Sequence, residues 1–482
     1  MKDVKAFLKI KRKQSEYRPV RERIRDFQEV VVLRPSEYTQ EQADRCMDCG
    51  TPFCHSACPL GNDIPEWNDL VMKGQWEKAY LSLSATNNLP EVTGRLCPAL
   101  CEFACVLGLG DDPVTIRENE LGIIEHAFKH GYVKPNPPKK RTNKKVAVIG
   151  SGPAGLACAD QLNKAGHNVT VFEKDKKIGA ILRYGIPDFK IEKWLLDRRL
   201  KIFKQEGIKF VTGVNVGIDL KVSELNNDFD AVCLTGGAHT PRDLNIPGRD
   251  LQGIHFAMDF LVQSNKKISG EKFKLNEFID AKNKNVVIIG GGDTGADCVG
   301  VSNRQGAKSI IQIEVMPKPP QSRTEDFPWP KYPMVLKTSS SHEEGGKRHW
   351  ALLTKEFIGK DGHVTNLQCV EVEFVKDEKT GRNSLKEISN SSFMIEADLV
   401  ILAVGFVHPV HGGLLSELKV DLDERGNVKT NEQFMTSKKG FFAAGDIRRG
   451  QSLIVWAIAE GRKAAHYMDA YLTGKESLLP IK

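Results

Sequence analysis

The chain has 482 residues, 40% hydrophobic and 27% charged, enough for two to four domains with cores of their own. No apolar run approaches the roughly 18 residues of a membrane span, which argues against an integral helical membrane protein. The formal charge of +7 is uneven: residues 1–40 hold eleven Lys/Arg against six Asp/Glu, and residues 134–145 hold six against none. The remainder is net acidic, so a basic nucleic-acid-binding face on a folded module is not expected.

The N-terminal stretch MKDVKAFLKIKRKQSEYRPVRERIRDFQ is a basic tail without the apolar core of a secretory signal. Its acidic residues argue against a transit peptide, and a cytoplasmic protein is expected. Residues 1–133 show helical apolar spacing, as in IPEWNDLVMKGQWEKAYLSL and IRENELGIIEHAFKHGY, with no strand alternation. Set into them are RCMDCGTPFCHSACP, with Cys46, Cys49, Cys54 and Cys58, and LCPALCEFACVLG, with Cys97, Cys101 and Cys105.

Seven clustered cysteines are odd for disulfides and one short of two four-ligand metal sites. A disulfide framework is disfavoured in a reducing compartment. A zinc ribbon needs paired C-x₂-C knuckles, and only Cys46–Cys49 forms one. Iron–sulfur is the third reading: C-x₂-C-x₄-C-x₃-C-P departs from the ferredoxin run C-x₂-C-x₂-C-x₃-C-P only in its middle gap. Cys158, Cys233, Cys298 and Cys369 stand singly in apolar or helical surroundings and read as small buried hydrophobes.

KPNPPKKRTNKK (134–145) reads as a solvated Pro/Lys linker in preference to a nuclear signal. Next comes a strand–loop–helix–strand unit, VAVIGSGPAGLACADQLNKAGHNVTVFEKD, in which Gly150, Gly152 and Gly155 form G-x-G-x-x-G. The first glycine permits the tight turn, the second admits a pyrophosphate to the backbone N–H groups, and the third lets helix and strand pack closely. Glu173 ends the following strand, where a carboxylate takes two ribose hydroxyls. The design recurs in NVVIIGGGDTGADCVGVSNRQGAKSIIQIEV, with Gly290, Gly291, Gly292, Asp293, Thr294 and Gly295. Here the signals conflict. Glu314 at the strand end favours the free 2′-hydroxyl of NAD, while Arg304 is a candidate for the 2′-phosphate of NADP and tips the reading towards NADPH. Residues 317–349 form a long irregular excursion, either functional or mobile. The last third carries the strand ADLVILAVGF and the stretch GFFAAGDIRRGQSLIVWAIAEGRKAA.

Two nucleotide sites on one chain point to a flavin reductase, in which hydride passes from nicotinamide to flavin by positioning alone. No acid, base or nucleophile is required, and no catalytic residue is assigned. His239, His255, His408 and His411 read as ordinary loop or packing histidines.

GSGPAG with Glu173, LRYGIPDFK (182–190), GGGDTGAD (290–297) and FAAGDIRRGQSLIVWAIAEGR (442–462) resemble the small (beta) subunit of NAD(P)H-dependent glutamate synthase. They are also similar to the N-terminal half of dihydropyrimidine dehydrogenase. The resemblance covers about residues 40 to 470. It implies an α/β fold in which two Rossmann-like dinucleotide-binding domains, for FAD and NAD(P)H, follow an all-α iron–sulfur domain. It implies FAD contacts at Gly150, Ser151, Gly152, Ala154, Gly155, Glu173, Lys174, Leu182, Arg183, Gly445, Asp446, Ser452 and Leu453. NADPH or NADH would meet Gly290, Gly291, Gly292, Asp293, Thr294, Arg304 and Gly405. Gly179-Ala180 stands where the family commonly has Gly-Gly.

On the same resemblance Cys46, Cys49, Cys54 and Cys105 hold one [4Fe-4S] cluster, while Cys58, Cys97 and Cys101 hold a second. Matching from Val114-Thr115-Ile116 places the missing eighth ligand on Glu120, with Glu118 as the neighbour to be told apart from it. The implied activity is electron input: NAD(P)H reduces FAD, and single electrons cross the clusters to a large subunit that makes glutamate from glutamine and 2-oxoglutarate. A freestanding reductase, or one feeding a ferredoxin or a pyrimidine-reducing subunit, is the alternative. A non-enzymatic scaffold would leave the glycine motifs unexplained. The expected division is 1–133 (iron–sulfur), 134–145 (linker), 146–280 (FAD, first part), 281–397 (NAD(P)H) and 398–482 (FAD, second part).

Overall fold

The computed structural model describes residues 5–274, 277–376 and 383–481. Up to residue 133 the described chain is helical, and its helices close on Trp67, which is fully buried among Ile64, Val71, Trp76, Ala79 and Leu83. The helix Ile116–Lys129 crosses behind them with Ile116 and Ile123 on one face and Leu121, Ile124 and Ala127 on another. Its two apolar faces explain why it packs on both sides.

The strands follow in chain order: β1 Lys145–Ile149, β2 Asn168–Glu173, β3 Lys209–Thr212, β4 Ala231–Leu234, β5 Ile254–Phe256, β6 Asn285–Ile289 and β7 Ser309–Ile313. Then come β8 Lys347–His349, β9 Leu352–Lys360, β10 His363–Lys376, β11 Asn383–Glu387, β12 Phe393–Glu396, β13 Leu399–Leu402 and β14 Phe441–Ala443. Two parallel five-stranded sheets result, in the orders β14-β4-β1-β2-β3 and β5-β13-β6-β7-β8. Each strand that feeds a glycine motif is central in its sheet and almost wholly buried, as the apolar runs VAVI and VVII require. A small antiparallel sheet of β9 to β12 lies beside the second parallel sheet.

The two parallel sheets repeat one order, but their outer strands come from opposite directions. β14 completes the first sheet from beyond the second, and β5 completes the second from before the 281 boundary. The expected boundaries at 280 and 397 are therefore corrected. β5, and β13 within ADLVILAVGF, pair with each other and belong to the second sheet. Pairing between parallel strands is remote in sequence, so local pattern does not reveal it.

The basic tail also needs correction. Arg12 pairs with Glu102 at 2.6 Å, the Ser15 N–H donates to Glu118 at 2.8 Å and Val30 N–H donates to Phe189 O at 3.0 Å. Arg23 is buried against Glu344 at 2.8 Å, and Glu29 accepts from Arg95 at 2.6 Å. Residues 12–30 are thus a strap that touches the helical region and both nucleotide units. The 134–145 segment is likewise anchored: Arg141 donates to Asn163 at 2.7 Å and to the carbonyls of His167 and Glu206 at 2.8 Å each. Among the described residues no helix is long and apolar enough to cross a membrane.

Candidate functional site

β1 ends at a loop that only glycine can make. Gly150 has φ 109°, and a Cβ there would lie 2.6 Å from Thr235 O; a Cβ on Gly155 would lie 2.0 Å from Gly150 O. Beyond Gly152 the space is open, its nearest neighbour being Ala180 Cβ at 3.8 Å. That leaves a cradle for a pyrophosphate at the N-terminus of the helix Pro153–Lys164. The Glu173 carboxylate braces the loop, accepting N–H bonds from Ser151 at 3.1 Å and Asp175 at 2.9 Å, and the Ser151 hydroxyl accepts from Gly179 N–H at 2.8 Å. Lys174 beside it is exposed.

The C-terminal stretch returns to this loop. A Cβ on Gly445 would come within 2.8 Å of Ala154 Cβ, and one on Gly461 within 2.2 Å of Ala154 O. Gly445 N–H donates to Glu460 at 2.9 Å, and Ser452 donates to Asp446 at 2.7 Å. Burial pushes the Asp446 carboxyl up to about 6. Leu182 is buried in the core of the first unit and Leu453 packs on it. Arg183 commits its guanidinium to Ile178 O and Asp197.

The second loop repeats the first. A Cβ on Gly290 would meet Ala403 O at 2.3 Å and one on Gly295 would meet Gly290 O at 2.3 Å, while nothing lies within 4 Å of Gly292. Asp293 and Thr294 open the helix Asp293–Gln305 there. Gly405 lies beside Gln451, whose Oε1 accepts from Phe406 N–H at 2.8 Å, so the end of the second sheet meets the 445–453 segment of the first unit.

Arg304 is a correction. It stands in the last turn of that helix, at the end opposite the glycine loop, with a fully buried side chain. Its guanidinium donates to Glu344 at 2.5 and 3.0 Å and to the carbonyls of Asp26 at 2.9 Å and Gly300 at 3.0 Å. It also lies 3.8 Å over the Phe189 ring. Four of its five N–H groups are taken there, away from the glycine loop, so Arg304 is not placed to hold a 2′-phosphate.

The cysteines fall into two groups. Cys46, Cys49, Cys54 and Cys105 line one pocket with Ile64, Val106, Leu107 and Ile116. Burial and the neighbouring Cys105 and Cys46 push the Cys54 thiol up to about 12. Cys58, Cys97 and Cys101 form the other group with Glu120: burial raises all three thiols, and their mutual charges and that of Glu120 push the same way. All seven are free. Among the described residues no three His, Cys, Asp or Glu side chains converge on a single-ion site. Soft thiolates set around a pocket suit an iron–sulfur cube.

Glu120 and Glu118 face different surroundings. Glu120 is buried among the second group, accepts from Asn87 at 3.0 Å and from Thr93, and is pushed up to about 7 by burial. Glu118 accepts from Ser15 N–H and lies 3.5 Å from Arg34, on the side of the strap.

Several contacts had no signal in the sequence. Glu91 and Arg199 form a buried pair at 2.7 and 2.9 Å that docks the helix Pro90–Leu96 on the first nucleotide unit. The 317–349 excursion reaches the cysteine helices: Trp329 packs on Phe53 at 4.5 Å, Tyr332 on Phe103 at 5.0 Å, and Arg323 donates to Phe103 O at 2.9 Å.

Residues 144–461 match the family described as pyridine nucleotide-disulphide oxidoreductase, and residues 23–132 match dihydropyrimidine dehydrogenase domain II, 4Fe-4S cluster. The FprA structure from Mycobacterium tuberculosis superposes with a TM-score of 0.56 at 19% identity, covering 69% of this chain and 85% of that one, a likeness of fold. The glutamate synthase [NADPH] small chain of M. tuberculosis is 54% identical over 100% of this chain and 99% of its own length. The glutamate synthase [NADH] of Schizosaccharomyces pombe is 46% identical over 98% of this chain, which spans 23% of that protein. The duplicated nucleotide units, the cysteine-bearing helical region before them and this full-length similarity agree, and the chain belongs to the glutamate synthase small-chain family.

Proposed function

We propose that the chain is the electron-input subunit of a glutamate synthase, oxidising a reduced nicotinamide dinucleotide and delivering single electrons to a large subunit that makes glutamate from glutamine and 2-oxoglutarate. FAD would be held by Gly150, Ser151, Gly152, Ala154, Gly155, Glu173 and Lys174, with Leu182, Arg183, Gly445, Asp446, Ser452 and Leu453 closing over it. The open cradle at Gly152 fits its pyrophosphate. The nicotinamide dinucleotide would lie on Gly290, Gly291, Gly292, Asp293 and Thr294, with Gly405 at the passage to the first unit. One [4Fe-4S] cluster would take Cys46, Cys49, Cys54 and Cys105; a second would take Cys58, Cys97, Cys101 and Glu120. Bound flavin supplies the conversion of a two-electron donor into single electrons.

One observation carries the reading. Cys58 and Cys97 pack against the hydrophobic core of the first nucleotide unit, and Cys58 also touches the core around the other cysteine group. The second group is thus the inner one, while Cys49 of the first group is half exposed. Electrons entering at the first unit would pass the inner group, then the outer one, and leave near Cys49. Similarity to separately encoded small chains, and to one stretch of a longer yeast protein, supports a large partner. A reducing cytoplasm suits eleven cysteines of which, among the described residues, none is in a disulfide.

The test is reconstitution. The purified chain should hold about eight irons, its flavin should bleach with NADH or NADPH, and glutamate should form only when the large subunit is added. Glutamate from the chain alone, or a flavin that does not bleach, would overturn the reading. Replacing Glu120 by Gln should change iron content and the reduced-state EPR spectrum while flavin stays bound, and Glu118→Gln should leave both as they were. The reverse pattern would move the ligand to Glu118.

A further inference from the structure

Between the two glycine loops the chain changes sides for a single aromatic residue. Leu182, Ile191 and Leu195 are buried in the core of the first nucleotide unit, but Phe189, fully buried, lies in the core of the second with Phe260 and Ile401. Its ring fills a notch that glycine leaves open: a Cβ on Gly300 would come within 2.7 Å of Phe189 Cζ. Arg304 closes the notch, its guanidinium 3.8 Å over the ring, and the strap covers the backbone, where Phe189 O accepts from Val30 N–H at 3.0 Å. Two further contacts pin the same segment to the second unit. Asn265, buried on the helix Ala257–Ile268 that follows β5, donates to Tyr184 O at 2.8 Å and to Ile186 O at 3.1 Å. Lys190 Nζ donates to Ser340 Oγ at 3.2 Å.

Resting on the proposed function, we infer that Phe189 is a positioning residue for hydride transfer, holding the flavin site of one unit and the nicotinamide site of the other at reacting distance. Its segment begins at Leu182 and Arg183, the residues proposed to close over the flavin. The wall of its notch, Gly300, stands about two turns along the helix Asp293–Gln305, whose first residues would meet the nicotinamide dinucleotide. Fully buried, Phe189 acts through the segment that carries it and the helix it fills, so a shift of the ring moves one site relative to the other. Among the described strands none pairs across the two parallel sheets, which leaves their spacing to side-chain contacts such as this one. Hydride passes only between atoms in contact, and a misplacement of about 1 Å costs about a hundredfold in rate.

Variants of the holoenzyme test this by separating rate from affinity. Anaerobic stopped-flow gives the rate of flavin bleaching at saturating NADPH or NADH, and calorimetry with NADP⁺ or NAD⁺ gives nucleotide binding without turnover. Phe189→Ala should keep its flavin and iron and bind the nucleotide as the wild type does, while the saturating bleaching rate falls about tenfold to a hundredfold. Phe189→Leu, which refills most of the notch, should recover most of that rate. Gly300→Ala drives a Cβ against the ring from the other side and should slow bleaching in the same way, so it reads the inference even where Phe189→Ala loses its flavin. An unchanged saturating rate in Gly300→Ala, or in Phe189→Ala with its flavin bound, overturns the inference, as does a loss confined to nucleotide affinity. Those outcomes leave the proposed function standing, whereas a wild type that bleaches with neither nucleotide overturns both.

Discussion

Ala180 holds φ 44° and ψ −123°, a conformation that suits glycine and strains any residue with a Cβ. It lies 3.8 Å from the point a side chain on Gly152 would occupy, so the strain is stored at the edge of the pyrophosphate cradle. Ala180→Gly should relieve it and raise stability by about 1 kcal/mol, read as a higher Tm with flavin content unchanged; a lower Tm would show that the alanine methyl is needed for packing. Asp297 supplies a pH dependence. Burial pushes its carboxyl up to about 7, against the opposing charge of Lys190. An acid whose pKa is raised on folding binds its proton more tightly in the folded state, so its contribution to stability falls as pH rises from about 4 through about 7. Asp297→Asn should therefore stabilise the protein by about 1 kcal/mol or more near pH 8 and change little near pH 4, measured as Tm at the two pH values. Residue roles were legible where a motif fixes them, as at Gly150 and Glu173. Arg304 shows the limit, because its claimants Asp26 and Glu344 lie 278 and 40 residues away along the chain.

At the scale of elements, the strap explains why a basic stretch stays with the fold. Arg23 and Arg304 share Glu344, and all three side chains are almost wholly buried. Breaking a buried pair costs most when a charge is left alone. Glu344→Ala, which strips Arg304 of its paired carboxylate and leaves Arg23 only the exposed Glu343, should therefore destabilise more than Arg23→Ala, which leaves Glu344 its second partner; about 3–5 against about 2 kcal/mol is the expected order. Thermal unfolding of the two holoenzyme variants checks it, and equal losses would mean that packing, not charge, holds the strap. The sequence reading caught β1, β2, β6 and β7 because apolar runs and glycine turns mark them locally. It missed the role of β5, three residues long, and gave β13 to the other unit. The excursion was recognised as unusual, but nothing in KPPQSRTEDFPWPKYP announces that Trp329 rests on the helix carrying Cys54.

For the whole molecule, the order of the two cysteine groups separates two halves of the proposed reaction. Cys49→Ser, at the half-exposed outer group, should leave flavin bleaching by the nicotinamide nearly unchanged and slow glutamate formation with the large subunit by more than about tenfold. Equal slowing of both would place the outer group before the flavin. Loss of the inner group acts differently, because Cys58 and Cys97 are part of the packing between the helical region and the first unit. Chelating the iron should therefore also loosen the flavin, seen as released flavin fluorescence.

The strand that completes the first sheet has a consequence for synthesis. β4 ends at Leu234 and β14 begins at Phe441, so about 200 residues, including the whole second sheet, leave the ribosome between them. At roughly 5–20 residues per second that interval is some tens of seconds at the slower rates. The unit that is begun first is finished last, and through that time β4 presents an open edge to anything able to pair with it. A nascent chain stalled before residue 441 would have its second sheet assembled and its first still waiting for a partner.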